Sequence, residues 1–235
     1  MKAKEALRKI WKWTKRIFLI LFIAQFVYII LLKWIDPPIT ITQFVSWITG
    51  HGLKRDYVDR SDMSVYAKLA VIAAEDQLFP DHNGFDWKSI KKAMAYNKKK
   101  PGRTRGASTI SQQVAKNVFL WQGKSFLRKG LEAYFTFMIE LVWGKKRILE
   151  MYLNVSEMGD GIFGIEMAAK KFFNKSAKNL TRQEAAMIAA SLRNPKIYTV
   201  KPPSRFVLWH SGWVRDQMYH LESDPDVQRI IEYKR

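Results

Sequence analysis

The feature that most constrains this chain is a run of uncharged residues close to its amino terminus, Ile17–Leu32. Gln25 is the one strongly polar side chain in the run, and tryptophans lie at both of its ends. Apolar helices with aromatic residues at their ends are typical of membrane spans, which need roughly 20 residues. Trp34–Ile35 extends the apolar stretch, and the ammonium of Lys33 can reach the lipid headgroups. We therefore predict one transmembrane helix over residues 17–35.

The charges around this run predict its orientation. Residues 1–16 contain seven basic residues and one acidic residue, Glu5. Because basic flanks stay in the cytoplasm, these residues are predicted to form a cytoplasmic tail, with everything after Lys33 on the periplasmic or outer side. A cleaved signal peptide is the alternative, but Lys33–Pro38 offers no small-residue cleavage site. We expect a retained single-pass anchor in the cytoplasmic (inner) membrane.

Composition narrows the class of ligand. The 235 residues carry a formal net charge of +19, and removing the seven bases and one acid of the tail still leaves +13. Such an excess suits an anionic partner, such as a phosphate, a nucleic acid or an anionic membrane. The chain has no cysteine, which excludes disulfides, thiolate metal sites and a cysteine nucleophile. Its four histidines lack the close spacing of a metal site.

The remainder of the chain is predicted to be a mainly α domain. Pro37–Pro38 ends the first helix, and residues 36–60 are predicted to be a membrane-proximal connector, with Phe44–Ile48 suited to the bilayer surface. Residues 61–235 show helical periodicity with little strand-like alternation. The basic stretch Lys98–Gly106 is predicted to be a mobile loop. The predicted helix caps are Ser61 or Asp62, Asp86, Ser108, Ser125, Thr181 with Glu184, and Ser204; further helices are predicted over Lys145–Asn154 and Gly164–Phe173.

Two adjacent carboxylates, Glu75 and Asp76, lie at the predicted end of an apolar helix. They repel each other and meet the unfavourable end of the helix dipole, which raises the proton affinity of at least one of them. A group tuned in this way suits general acid–base catalysis. A solvated helix end followed by a turn is the alternative interpretation.

A second group of candidate residues lies on the predicted helix after Gly106. At 100° per residue, Ile110, Val114 and Val118 form a buried stripe, and uncharged hydrogen-bonding side chains gather opposite it with one lysine. A helix amino terminus beside a basic loop suits an anionic or sugar-like ligand, whereas an ordinary polar helix face is the alternative. The polar set consists of Thr109, Gln112, Gln113 and Lys116.

A third group places Arg128, Lys129 and Glu132 on one helical turn. A surface ion pair between Arg128 and Glu132, worth under about half a kcal/mol, is the simple interpretation. However, the following segment, Ala133–Met138, is apolar nearly all round. This pattern favours a central helix whose charged turn lines a site.

Five ordered blocks of this chain resemble the peptidoglycan glycosyltransferase family, whose domain also occurs in bifunctional penicillin-binding proteins. The resemblance covers roughly Val65 to Pro203, and its chief departures are Ser111, where threonine is common, and Asn83–Asp86 after the histidine. The blocks are E-D-x-x-F-x-x-H-x-G at Glu75–Gly84, G-x-S-T-I-S-Q-Q-x-x-K-N at Gly106–Asn117, R-K-x-x-E at Arg128–Glu132, I-L-E-x-Y-L-N at Ile148–Asn154, and Ala185–Pro202 with R-N-P at 193–195.

The resemblance implies a lysozyme-like, two-lobed glycosyltransferase domain at residues 61–235, behind the transmembrane helix. It implies an enzyme of cell-wall biosynthesis that joins lipid-linked disaccharide-peptides (lipid II) by β-1,4 bonds with inversion and releases undecaprenyl diphosphate. By resemblance, Glu75 is the general base for the 4-hydroxyl of the acceptor. Glu132 is then the second carboxylate, on the donor side.

The resemblance also implies roles for the neighbouring residues. Asp76 and His82 would support the loop around Glu75, and cations would stabilise the diphosphate leaving group. No cofactor is required by the sequence and no metal ligands are identified, although the family allows a divalent Mg or Mn ion at the diphosphate. The predicted substrate- and diphosphate-binding residues are Ser108, Thr109, Gln112, Gln113, Lys116, Lys124, Arg128 and Lys129.

The expected partners are lipid II, the growing glycan strand and the membrane; penicillin-binding or cell-division proteins are suggested by the family alone. A lysozyme-like glycan-cleaving enzyme is the first alternative function, but it has no use for the cation cluster or the anchor. A membrane-tethered nucleic-acid binder would explain the charge. The basic residues are, however, not interleaved with aromatics in a recognised module, so nucleic acid is not an expected partner.

Overall fold

A computed structural model describes residues 2–100, 106–123 and 125–232. The chain divides into two compact units, Met1–Asp36 and Pro37–Arg235. The first contains helix α1 (Lys2–Leu31), which from Lys4 onward is long and apolar enough to cross a membrane. The predicted apolar helix is therefore present, but it ends at Leu31, before the predicted limit at residue 35.

The second unit is mainly helical, which confirms the predicted fold class. Three short strands form a sheet of order β1–β3–β2, in which β1 (Lys54–Arg55) runs parallel to β3 (Ile162–Phe163) and β2 (Glu157–Gly159) runs antiparallel to it. Lys54 pairs with Ile162. The helices are α2 (Ile41–Ile48), α3 (Val65–Glu75), α4 (Trp87–Lys99), α5 (Ile110–Phe119), α6 (Phe126–Val142), α7 (Lys145–Val155), α8 (Ile165–Phe173), α9 (Arg182–Ser191), α10 (Arg205–Leu221) and α11 (Pro225–Ile231).

The core forms where two groups of helices bury their apolar faces. Helices α3, α9 and α10 pack against one another, and so do α5, α6 and α7. In the second group the stripe predicted on α5 is confirmed, because Ile110, Val114 and Val118 are all buried. Fully buried Ile139 of α6 and Ile148 of α7 belong to the same group. This packing holds α5 rigidly on its apolar side.

Several helices begin at the predicted caps. Asp86 accepts from the backbone N–H of Ser89, Ser125 accepts from that of Arg128, and Ser204 accepts from that of Val207. Thr181 and Glu184 bond reciprocally, as a capping box requires. These side chains satisfy amide groups that the first turn of a helix leaves unpaired.

Two of the predicted caps are wrong. Residues Arg60–Asp62 form a separate 3-10 turn, and Ser64 caps α3 instead. Helix α5 is capped by Thr109 and not by Ser108, because Thr109 has a glutamine three residues later and forms a capping box with it. Ser108 lacks that partner, since the residue three positions after it is Ser111.

Several elements lie outside those predicted. Helix α2 and strand β1 lie within the predicted connector at residues 36–60, strands β2 and β3 lie between two predicted helices, and α11 follows the last predicted helix. Pro101–Arg105, in the predicted mobile loop, lies outside the described residues. The division of the chain at residue 61 stays a prediction.

Candidate active site

Glu75 is the last residue of α3, and its carboxylate faces α5. The amide nitrogen Nε2 of Gln113 donates to Oε2 of Glu75 over 2.6 Å. The hydroxyl of Tyr152, on α7, donates to Oε1 of the same glutamine over 3.3 Å. Three elements that are distant in sequence therefore meet at one carboxylate.

Burial raises the pKa of Glu75 above its ordinary value. The hydrogen bond from Gln113 and the charge of Lys116 act in the opposite direction, while the neighbouring Asp76 raises it further. Glu75 therefore holds a proton at a higher pH than an exposed glutamate does. A carboxylate with a raised pKa is a stronger base than an ordinary glutamate and is suited to accept a proton from a hydroxyl.

Asp76 is buried and points away from the base. One of its oxygens accepts from the backbone N–H of Ile110 over 3.0 Å, at the start of α5. Nε2 of His82 lies 3.0 and 3.1 Å from the two carboxylate oxygens, and its Nδ1 accepts from the backbone N–H of Gly84. These contacts tie the loop after Glu75 to the amino terminus of α5.

Glu132 is only 3% exposed and is held by two cations of its own helix, α6. Arg128 Nη1 donates to it over 2.7 Å, and Lys129 Nζ donates to its other oxygen. The Arg128 side chain is 11% exposed, whereas that of Lys129 is 52% exposed. The carboxylate therefore lies in a partly buried charged turn, which rules out a simple surface ion pair.

The prediction of a central α6 is wrong. The helix buries one face against α5 and α7, and large apolar side chains on its opposite face are exposed. Apolar residues occur on both faces of the helix, so the sequence does not show which face is buried. The exposed residues are Phe126, Leu127, Phe137 and Leu141.

The predicted residues surround a cavity of about 140 Å³ between α5 and α6. A larger cavity of about 320 Å³ lies beside it, with a wall that includes Ser46 of α2 and Tyr152. Gln113 and Lys116 line both cavities. Burial lowers the pKa of Lys116 despite the opposing effect of Glu132. The smaller cavity is lined by Ser108, Gln112, Gln113, Lys116, Arg128, Lys129 and Glu132.

Thr109 differs from the other described binding residues that were predicted. Thr109 lines neither cavity; its hydroxyl donates to the carbonyl of Gly84 over 2.7 Å and its backbone N–H donates to Gln112 Oε1. Gln112 lines the smaller cavity, and its side-chain oxygen accepts from the backbone N–H of Thr109 in the capping box of α5. Lys124 lies outside the described residues.

Sequence reasoning did not single out Tyr152, Lys196 or Glu140. Tyr152 is fully buried on α7, and its partner Gln113 lies on another helix, so the local sequence carries no sign of this hydrogen bond. Lys196 lines the larger cavity, from a loop whose position depends on the whole fold. Glu140 accepts from Ser111 Oγ at 2.5 Å and from Lys145 Nζ at 2.6 Å, which joins α5, α6 and α7.

The described residues do not fit a metal ion held by the protein. Among them, no three His, Asp or Glu side chains come together as a ligand set. Near the cavities, Glu132 is already neutralised by two cations and Glu75 is bonded to an amide. The expectation of an Mg or Mn ion at a bound diphosphate stays a prediction about a substrate complex.

Comparison with known proteins agrees with this geometry. The family model described as Transglycosylase matches residues 42–219. Biosynthetic peptidoglycan transglycosylases from Shigella boydii serotype 4 (strain Sb227) and Escherichia coli (strain K12 / DH10B) are 52% identical to this chain over 190 residues, covering 80% of this chain and 78% of each relative. The match includes the helices that carry both carboxylates and the residues of both cavities. The chain therefore belongs to the transglycosylase family.

Proposed function

We propose that this protein polymerises the glycan strands of peptidoglycan. It joins lipid II units by β-1,4 bonds with inversion and releases undecaprenyl diphosphate. The observation that carries the proposal is the smaller cavity, which is lined by Glu132, by three cationic side chains and by Gln113, the residue that donates to Glu75. Glu75 has an uncharged hydrogen-bond partner and a raised pKa, whereas Glu132 is bound by two cations. Membership of the family and the 52% identity to biosynthetic peptidoglycan transglycosylases support the same activity.

The chemical step begins at Glu75. Its carboxylate takes the proton from the 4-hydroxyl of the acceptor sugar while that oxygen attacks the anomeric carbon of the donor. The bond between the anomeric carbon and the diphosphate oxygen breaks on the opposite face, and the leaving group keeps the electron pair. Because the pKa of Glu75 is raised, the residue is a stronger base than an ordinary glutamate.

The smaller cavity is the proposed site of the leaving diphosphate. Lys116, Arg128 and Lys129 line it and supply positive charge where negative charge develops in the transition state. Lys129 is half exposed and can turn from Glu132 toward a ligand. Glu132 holds Arg128 in place and keeps the cations together in the absence of substrate.

The helix α1 is the proposed anchor, because its span from Lys4 to Leu31 is apolar enough to cross a membrane. The basic amino-terminal residues support a cytoplasmic tail and a catalytic domain on the outer side of the cytoplasmic membrane. This arrangement holds the enzyme at the membrane that carries its lipid-linked substrate. The growing glycan strand is the second proposed ligand, and cross-linking proteins are proposed partners.

The decisive experiment incubates the full-length protein in detergent with labelled lipid II. Wild type is expected to form glycan polymer, and Glu75→Gln to lose turnover by on the order of 10²-fold or more. Since the base must be ionised, the rate should rise with pH through the pKa of Glu75, at a pH above its ordinary value of 4.5. Glu5→Gln, the same exchange in the amino-terminal tail, is the control.

Three results would contradict the proposal. No polymer from wild type would remove the activity itself. Cleavage of a preformed glycan would favour a lysozyme-like hydrolase instead. Near-normal turnover by Glu75→Gln would leave the activity in place and remove Glu75 as its base.

A further inference from the structure

The polar contacts of Glu75 continue beyond its immediate neighbour. Gln113 has two different ends, a nitrogen that only donates and an oxygen that only accepts. The nitrogen end faces Glu75 at 2.6 Å and the oxygen end faces the hydroxyl of Tyr152 at 3.3 Å. If the amide turned by 180°, its oxygen would face the carboxylate, an arrangement that an ionised Glu75 disfavours.

We propose that Tyr152 is a positioning residue, whose hydroxyl holds the Gln113 amide with its nitrogen toward Glu75 and thereby stabilises the ionised form of the base. This inference rests on the proposed function, because it assigns Tyr152 a role in preparing Glu75 for proton abstraction. The side chain of Tyr152 lines the larger cavity, and the role assigned here belongs to its hydroxyl. Its effect reaches the reaction through Gln113.

The protonation state of Tyr152 is suited to this role. Burial raises the pKa of its hydroxyl well above the ordinary value, and the negative charge of Glu75 raises it further. The hydroxyl therefore keeps its proton throughout the working range of the enzyme and remains a donor. A neutral donor orients the amide without adding a charge beside the base.

The other groups around Glu75 do not fix the amide. Asp76 raises the pKa of Glu75 and is itself bonded to His82 and the start of α5. Lys116 of α5 lowers that pKa, but Glu132 attracts it as well. From α10, the polar contact near this end of α3 is the neutral Gln217, which accepts from Gln77.

Helix α11 lies next to a different part of α3. Glu232, which follows α11, acts electrostatically on Lys68, two helical turns before Glu75. The charge of this group therefore bears on the opposite end of the helix. The contact between Tyr152 and Gln113 determines whether the nitrogen or the oxygen of the Gln113 amide faces Glu75.

The test is Tyr152→Phe in the full-length protein, which keeps the ring and its packing and removes the hydroxyl. Polymerisation of lipid II is measured across pH, with thermal unfolding of the same preparations. We expect the acid limb of kcat to move to higher pH by about one unit, since the ionised base loses an oriented donor. A shift of the acid limb, and not a uniform loss of rate at every pH, is the signature of a positioning role. Tyr219→Phe, on an exposed part of α10, is the control.

A second variant separates positioning from a structural role. Gln113→Met should shift the acid limb in the same direction, and Tyr152→Phe added to it should cause no further shift, because the hydroxyl then has no amide to orient. An unchanged limb in either single variant, or additive shifts in the double variant, would overturn the inference. A wild-type enzyme that forms no polymer would instead refute the proposed function.

Discussion

The two cations on Glu132 should respond differently when each is exchanged for methionine, which keeps the aliphatic stem and removes the charge. Arg128 is 11% exposed and Lys129 is 52% exposed, yet both donate to the same buried carboxylate. Loss of the arginine removes a desolvated charge-assisted hydrogen bond, worth about 1.5–3 kcal/mol. Loss of the lysine removes a screened contact worth about 0–1 kcal/mol.

These energies convert into different melting temperatures. For a chain of this size, each kcal/mol lowers Tm by about 2–4 °C. Arg128→Met should therefore lower Tm by roughly 3–12 °C, and Lys129→Met by less than about 4 °C. Tryptophan fluorescence follows unfolding of the full-length protein in detergent, since the chain has nine tryptophans. Lys171→Met, the same exchange at an exposed position of α8, is the control.

The same variants test the diphosphate site. Both should lose about one to two decades in kcat/KM with lipid II, while binding of a sugar chain that lacks the diphosphate stays unchanged. Lys129→Met is the more informative variant, because it is expected to lower kcat/KM strongly while changing Tm only slightly. Equal changes in Tm would refute the burial argument, and a Lys129→Met enzyme with full kcat/KM would show that Lys129 does not hold the leaving group.

Two further predictions concern orientation and packing. A reporter that is active only in the periplasm, fused after Arg235, should be active, whereas activity of a cytoplasm-only reporter would reverse the proposed topology. Gly84→Ala should lower the free energy of unfolding by about 1–3 kcal/mol. A Cβ at Gly84, whose φ is +86°, would lie 2.7 Å from Cγ2 of Thr136 and 3.1 Å from Cγ of Glu140. An unchanged Tm would show that the loop moves aside without strain.

Sequence patterns predicted most of the elements that carry this site. The 3.6-residue period of α5 identified its buried face, and capping residues such as Asp86 and Ser125 marked where helices begin. These signals are local, because a helix turn and a cap each depend on residues three or four positions apart. Helical spacing also identified Gln113 and Glu132 as candidate site residues, the resemblance agreed, and the fold places both at the smaller cavity.

Features that depend on distant contacts could not be predicted in this way. An apolar segment such as Ala133–Met138 does not reveal which of its faces another helix will cover. The bond from Tyr152 to Gln113 joins residues of two helices, and neither local sequence specifies it. Helix α2 is a different case, because its capping box, formed by Thr40 and Gln43, is a local signal that the sequence itself contains.

Because the two cavities share part of their wall, their binding properties cannot be varied independently at the shared residues. Gln113 and Lys116 contribute to both cavities, so a substitution at either position alters the lining of both at once. A kinetic defect in such a variant cannot be assigned to one cavity alone. Lys129 and Ser46 each line a single cavity, so a substitution at either of them alters one lining at a time. For the same reason, a compound that displaces the shared side chains from one cavity would disturb binding in both.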